Sequence, residues 1–210
     1  MEKQICLTYP ADNMGRIQKM IKRLIDVVLS LLGLIILSPV FLIFILILNV
    51  NWKMSAIFSQ ERIGYNGKPF TIYKFRTLSP DNEAEGPRLV PTSGDADSSG
   101  FCRFLRDSHL DELPQLWNVL IGDMSFVGPR PERKYYIDMI MQEDPNYILI
   151  YQMKPGLTSE ATLYNGYTDT MEKMLKRLRM DVNYLRTRNL RMDVQIMVDT
   201  FMAMISGRSF

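Results

Sequence analysis

Apolar residues run without a single charge from Val27 to Leu48. That is the length, roughly 20 residues, a helix needs to span about 30 Å of hydrocarbon. Ser38-Pro39 falls near the middle of the run. Proline removes a backbone donor and crowds the preceding turn, so a kink or break is expected there, with the serine hydroxyl available to satisfy the freed carbonyl. The stretch is longer than the 7 to 15 residues, roughly, of a signal-peptide core, and no small-residue cleavage site follows it, so it reads as a membrane segment. Arg16, Lys19, Lys22 and Arg23 precede it, and Lys53, Arg62 and Lys68 follow. Basic residues favour the cytoplasmic side, and a helix that enters, bends and returns satisfies both flanks. An ordinary kinked span is an equal reading of the same residues.

Beyond residue 50 the pattern changes. Ile57 to Ile63 and Phe70 to Arg76 are rich in β-formers and flank Tyr65-Asn66-Gly67-Lys68-Pro69, an Asn-Gly turn signal, so a hairpin is predicted. Alternation would place Lys74 and Arg76 on one face of its second strand. Ser79 to Gly100 is dense in Ser, Pro, Gly, Asp and Asn and reads as a long polar surface loop or a lid. In Leu110 to Leu120, apolar residues at 113, 116, 117 and 120 follow a helical spacing, and Gly122 suits its end. Pro114 belongs in a first turn, which sets the start near Asp111 and puts Asp111 and Glu112 at the positive end, both ionised and able to hold a cation. After Gly128-Pro129-Arg130-Pro131, two mixed segments, Tyr135 to Met153 and Met171 to Ile205, are predicted helical. The second carries Lys173, Lys176, Arg177, Arg179, Arg186, Arg188 and Arg191 among apolar residues, as interfacial membrane helices do and as solvated helices on a globular core also do.

Charge narrows the function classes. Twenty-five basic residues against 23 acidic ones give a net charge of +2, too even a balance for a nucleic-acid binder on charge alone. Cys6 and Cys102 cannot build a disulfide framework, and neither stands in metal-ligand spacing with the single histidine, His109, so a reducing compartment fits and a zinc site does not. His109 and Asp26 suggest no catalytic role; Asp26 reads as a helix cap or a partner for Arg23.

Several strings in order resemble the bacterial sugar transferase family, the catalytic core of the small monotopic phosphoglycosyl transferases. They are Lys22-Arg23-Leu24-Ile25-Asp26 with Ser38-Pro39, Tyr73-Lys74-Phe75-Arg76-Thr77, Gly100 with Arg103-Phe104-Leu105-Arg106, and Leu110-Asp111-Glu112-Leu113-Pro114-Gln115. Gly122 through Pro131, Lys154-Pro155-Gly156-Leu157-Thr158 and Met180-Asp181-Val182-Asn183-Tyr184 complete the series. The resemblance implies a mostly helical α+β fold in three parts: an N-terminal segment (1–21), a re-entrant membrane helix broken at Ser38-Pro39 (22–50), and a catalytic domain on the cytoplasmic face (51–210). A small β-hairpin and interfacial amphipathic helices surround the active site. The chain looks like the minimal form of the family, located at the bacterial cytoplasmic membrane.

The resemblance also implies a reaction. Asp111 attacks the sugar-bearing phosphorus of a UDP-sugar, UMP leaves, and polyprenyl (undecaprenyl) phosphate takes the phosphosugar from the aspartyl intermediate at the start of glycoconjugate assembly. Glu112 manages the acceptor's proton or supports Mg²⁺, so Asp111 and Glu112 are the expected metal ligands. Lys74, Arg106 and Arg130 match phosphate-binding positions, and Asp181 matches a further acidic position, either in the active site or partnering an arginine. The exposed apolar surface of a half-inserted protein leaves room for a homodimer. One departure is Tyr167 after Gly166, where the family usually has Arg. Rival readings are a non-catalytic membrane-anchored scaffold of a glycan assembly complex and a glycosyltransferase that releases UDP, for which Asp95-Ala96-Asp97 has only the bare metal-motif spacing.

Overall fold

The computed structural model describes residues 12–52, 55–78, 100–166 and 168–206. Ser79 to Ser99 of the polar loop, with Asp95 and Asp97 in it, and also Cys6, Lys53 and Tyr167, lie outside the described residues. The fold is mostly helical, with a long apolar N-terminal helix and two small sheets. Helix α1 runs Arg16–Trp52, strands β1 Ile57–Ile63 and β2 Pro69–Phe75 form the hairpin, and α2 Gly100–Asp107 follows. Next come a 3₁₀ turn at Leu110–Glu112, α3 Gln115–Ile121, β3 Ser125–Val127, α4 Lys134–Glu143 and a 3₁₀ helix Pro145–Gln152. Strand β4 Gly156–Thr158, α5 Glu160–Asn165, α6 Met171–Thr187 and α7 Leu190–Ile205 complete the chain.

Helix α1 begins at Arg16, ahead of Lys22, and its helical backbone continues through Ser38-Pro39, so the described helix is one element with Pro39 inside it. The compensation at the proline is local. Pro39 has no N–H to give to the Ile35 carbonyl four residues back, and Ser38 Oγ donates to that carbonyl at 2.8 Å instead. One face of α1 docks on the domain along its length. Near its start Arg23 donates to the Val119 and Leu120 carbonyls at 2.6 and 2.8 Å, covering the C-terminal end of α3, where a cation is favoured. Toward its end Phe41, Phe44 and Ile45 pack on a cluster of Leu48, Phe75, Cys102 and Leu105, with Phe44 edge-on to both Phe75 and Phe101. The other face, including Leu24, Leu31, Leu32, Ile35, Ile36 and Leu42, is exposed and apolar.

The hairpin forms as the residues predict. Strands β1 and β2 pair antiparallel from Ile57 opposite Phe75 to Ile63 opposite Pro69, and Asn66 and Gly67 take the positive φ values of 57° and 69° that favour Asn-Gly in such turns. Arg76 falls just past β2. It donates to the Ser55 carbonyl at 2.9 Å and lies over Phe58, while Lys74 reaches Glu112, so the two cations have different partners.

A parallel pairing of β3 with β4 was not foreseen. Its backbones approach so closely that a Cβ on Gly156 would lie 2.1 Å from Gly128 N, which leaves room only for glycine at this crossing. The predicted Tyr135–Met153 helix divides at Asp144-Pro145, where the Asp144 carboxylate accepts from Asn146 N–H. The predicted Met171–Ile205 helix divides at Arg188-Asn189, with Asn189 capping α7 through Met192 N–H at 3.0 Å. The main core joins α4, the 3₁₀ helix, α6 and α7 around Ile137, Leu149, Met153, Leu178, Leu185 and Ile196.

Candidate active site

The carboxylate pair sits ahead of α3 and not in its first turn. Pro114 takes helical angles as the residue capping α3, and Asp111 and Glu112 occupy the separate 3₁₀ turn before it. His109 leads into that turn in the left-handed conformation, φ 56°, with its carbonyl accepting from Glu112 N–H at 3.2 Å. Sequence reasoning gave this residue no role. Burial holds its imidazole below the ordinary value.

Two cations converge on one carboxylate. Lys74 Nζ, from β2, lies 2.6 Å from Glu112 Oε1, and Arg130 NH2, from the turn after β3, lies 3.1 Å from the same oxygen. Arg106, the third predicted phosphate binder, lies in α2 and donates to the Thr77 carbonyl just past β2. The environments of the two acids differ in sign. Burial pushes Glu112 up, but Lys74 and Arg130 together outweigh it and hold the carboxyl well below its usual range. Burial also pushes Asp111 up, Lys74 opposes this and the neighbouring Glu112 charge reinforces it, leaving Asp111 at about 7. Glu112 is thus held ionised, whereas burial moves Asp111 up to where it is ionised in part near neutral pH.

The support beneath these side chains includes one residue that sequence reasoning did not single out. Asn118, fully buried in α3, donates to the Thr71 carbonyl at 2.7 Å and accepts from Tyr73 N–H at 3.2 Å, fastening α3 to β2 beside Lys74. The signal was present: an amide beside Leu116 and Val119 among the buried positions of a short helix. The Arg130 turn is pinned at Gly128 N–H to the Thr158 carbonyl, 3.0 Å, and at the Pro129 carbonyl by Gly156 N–H, 2.9 Å. Asp26 is neither a cap nor a partner for Arg23. Buried in α1, it accepts from Ser125 Oγ and Phe126 N–H, each at 3.1 Å, and so ties the helix to β3.

Asp181 is placed elsewhere. It is buried in α6, and its electrostatic neighbours are Arg177, Glu132 and Glu160, whereas those of Asp111 are Lys74, Glu112 and Arg130. Burial, eased by Arg177, raises it to about 7. For a cation, the site offers the hard carboxylate oxygens of Asp111 and Glu112. That donor set fits Mg²⁺, which takes one or two carboxylates and fills the rest of its shell with water and substrate phosphate. Among the described residues no group of three or more acidic, His or Cys side chains forms a complete protein cage.

Comparison with known proteins bears on this geometry. A family model described as bacterial sugar transferase matches residues 17–207. The chain is 37% identical over 182 residues to a UDP-glucose:undecaprenyl-phosphate glucose-1-phosphate transferase of Klebsiella pneumoniae, an alignment covering 86% of this chain and 39% of that protein. A transferase of the same description from Caulobacter vibrioides is 37% identical over 188 residues, 88% of this chain and 70% of its own length. A UDP-N-acetylgalactosamine-undecaprenyl-phosphate N-acetylgalactosaminephosphotransferase of Aeromonas hydrophila is 30% identical, covering 89% of this chain and 44% of that protein. The chain thus spans about two fifths of the length of two of these relatives and more than two thirds of the third.

Proposed function

Because the chain belongs to the bacterial sugar transferase family, we propose that it transfers a sugar-1-phosphate from a UDP-sugar to undecaprenyl phosphate, with Asp111 as nucleophile. The observation that carries this reading is the unequal treatment of adjacent carboxylates. Lys74 and Arg130 both engage Glu112 and keep it ionised, while Asp111 beside it makes no direct ion pair among the described residues and feels the same two cations through space. In the first step an Asp111 Oδ–P bond forms at the sugar-bearing phosphorus and the anhydride bond to UMP breaks. In the second, a phosphate oxygen of the acceptor attacks the same phosphorus and the Asp111 carboxylate leaves. Dividing the exchange in two through a carboxylate gives ping-pong kinetics. Glu112, held as an anion by Lys74 and Arg130, is too weak a base to take up a proton readily and is suited instead to supporting Mg²⁺.

An anionic nucleophile meeting a diphosphate needs positive charge close by. Lys74 and Arg130 supply it from two sides, the arginine with a fork suited to phosphate oxygens. Arg106, expected as a third phosphate-binding residue, donates to the Thr77 carbonyl just past β2. Mg²⁺ would be held by Asp111, Glu112 and the diphosphate, and when bound it supplies charge neutralisation to the leaving UMP.

The membrane reading belongs with this reaction, since the acceptor is a lipid. Helix α1 is long and apolar enough to cross a membrane, yet both its ends dock on the same domain, Asp26 on β3 and Phe44 and Leu48 on the cluster around Phe75. This supports a re-entrant arrangement with the catalytic domain, including the basic flanks, on the cytoplasmic face.

The test uses protein purified in nanodiscs, Mg²⁺, a panel of UDP-sugars and undecaprenyl phosphate, with Asp111→Asn as comparison. UMP release by the parent, reduced at least about a thousandfold in the variant, is the expected result. UDP release would instead make the protein a glycosyltransferase. Full activity in Asp111→Asn would remove Asp111 as nucleophile.

A further inference from the structure

We propose that Arg177 of α6 is a positioning residue for the transfer reaction, acting through Glu132 to fix the direction in which Arg130 reaches Glu112 and the phosphate. The inference rests on the transferase reading, and its closing experiment includes a measurement independent of turnover.

Arg130 stands in a turn between two prolines, and the next residue after Pro131 is Glu132. The backbone of this turn is secured from several sides. Ile63 N–H donates to the Glu132 carbonyl at 3.1 Å, and Arg62 NH1 donates to the Pro131 carbonyl at 3.2 Å. On the other side, the Gly128 and Pro129 bonds hold the turn to β4. These bonds set the path of the chain. The Glu132 side chain adds a second constraint, because its carboxylate is shared by two arginines from different elements. Arg177 NH1 of α6 bonds Oε1, and Arg62 NH1 of β1 lies 3.8 Å from Oε2.

The three side chains are largely shielded from solvent, at 12%, 14% and 17% exposure for Arg177, Glu132 and Arg62. A buried ion pair of this kind adds little net stability, since desolvation offsets most of the attraction, but it strongly penalises any geometry that separates the charges. Arg177 is also held by Thr168 Oγ1, while its Nε, like the Nε of Arg62, has no hydrogen-bond partner among the described residues. Glu132, two residues from Arg130, is thus the carboxylate that both guanidiniums share, while Arg177 also faces Asp181 and Arg62 also donates to Gln60 Oε1. Any drift of the Arg130 turn away from Glu112 would pull Glu132 from Arg177, so α6 resists that drift from 45 residues farther along the chain.

The experiment compares Arg177→Met, Arg177→Lys and Glu132→Gln with Leu178→Ala, which removes buried packing from the adjacent position of α6. Steady-state kinetics with the productive UDP-sugar, melting temperature, and hydrogen exchange over residues 126–132 are measured for each in nanodiscs. Expected is a kcat at least tenfold lower in Arg177→Met and Glu132→Gln, with the donor KM within threefold of the parent, and recovery to within threefold of parental kcat in Arg177→Lys. Exchange over 126–132 should rise at least fivefold in the first two variants. Leu178→Ala should lower the melting temperature yet keep kcat within twofold and leave that exchange unchanged.

Unchanged exchange over 126–132 in Arg177→Met and Glu132→Gln overturns the proposal, and so does an equal kcat loss in Leu178→Ala. If Arg177→Met does not fold, the isosteric Glu132→Gln decides. A parent that turns over no donor defeats the transferase reading, and with it the catalytic consequence, while the exchange measurement still decides whether Arg177 and Glu132 hold the turn.

Discussion

Asp181 is the residue where chemistry and stability pull apart most clearly. A carboxyl raised by burial binds its proton more tightly in the native chain than in the unfolded one. With a native value of about 7 against an ordinary 3.8, the native state keeps a proton between those limits that the unfolded state has lost. Stability from this group therefore falls as pH rises from about 4 to 7 and stays low above that. Asp181→Asn, which cannot ionise, should gain on the parent between pH 5 and pH 8 by an amount on the order of 2–4 kcal/mol. Melting curves in one detergent at the two pH values test this, and a variant-minus-parent difference independent of pH would refute the assignment. At this scale the motif strings single out three residues, Lys74, Glu112 and Arg130, that meet in space. They were uninformative about partners. That Arg106 turns to the Thr77 carbonyl and Asp181 to Arg177 depends on how elements far apart in sequence dock, and side-chain type alone does not carry that information.

The elements show the same division between local and long-range information. The hairpin was readable because Asn66-Gly67 fixes its turn and two seven-residue strands flank it. The β3–β4 pairing was not, since three residues on each side hold no periodicity, and the pairing depends on Gly128 and Gly156 meeting at a crossing between distant segments. Helix α3 shows what such crossings do for the site. Its Asn118 satisfies two backbone groups of β2, at Thr71 and Tyr73, on either side of Ile72 and next to Lys74. Asn118→Ala leaves both groups without that partner in a buried setting. A loss of about 2–3 kcal/mol is expected, read as a melting temperature lower by at least about 4 °C. Lys74 should lose its register against Glu112 as well, so kcat should fall at least about tenfold in protein that remains folded. A variant that melts early but retains full kcat would separate the two roles and leave Asn118 as packing only.

For the whole molecule, the question is how a 37-residue helix of this composition meets the bilayer. At about 1.5 Å per residue a straight helix of that length is roughly 55 Å long, well beyond the roughly 30 Å of hydrocarbon. A spanning helix would carry one end away from the domain. Here Arg23 and Asp26 near one end hold α3 and β3, and Phe44 and Leu48 near the other pack with Phe75 and Leu105. Crossing would expose that second contact surface and strip β2, the strand that carries Lys74, of its cover. The uncovered face of α1 is apolar, as are Val194, Val198, Phe201 and Ile205 on α7, so lipid contact without crossing satisfies both helices. Single cysteines at Gly15 and Ser55, exposed positions at either end of α1, test this in a background with Cys6 and Cys102 replaced. An impermeant maleimide should label both in inverted membrane vesicles and neither in right-side-out vesicles. Labelling of the two positions from opposite faces would establish a crossing helix and require the docking of Phe44 and Leu48 to be given up in the membrane.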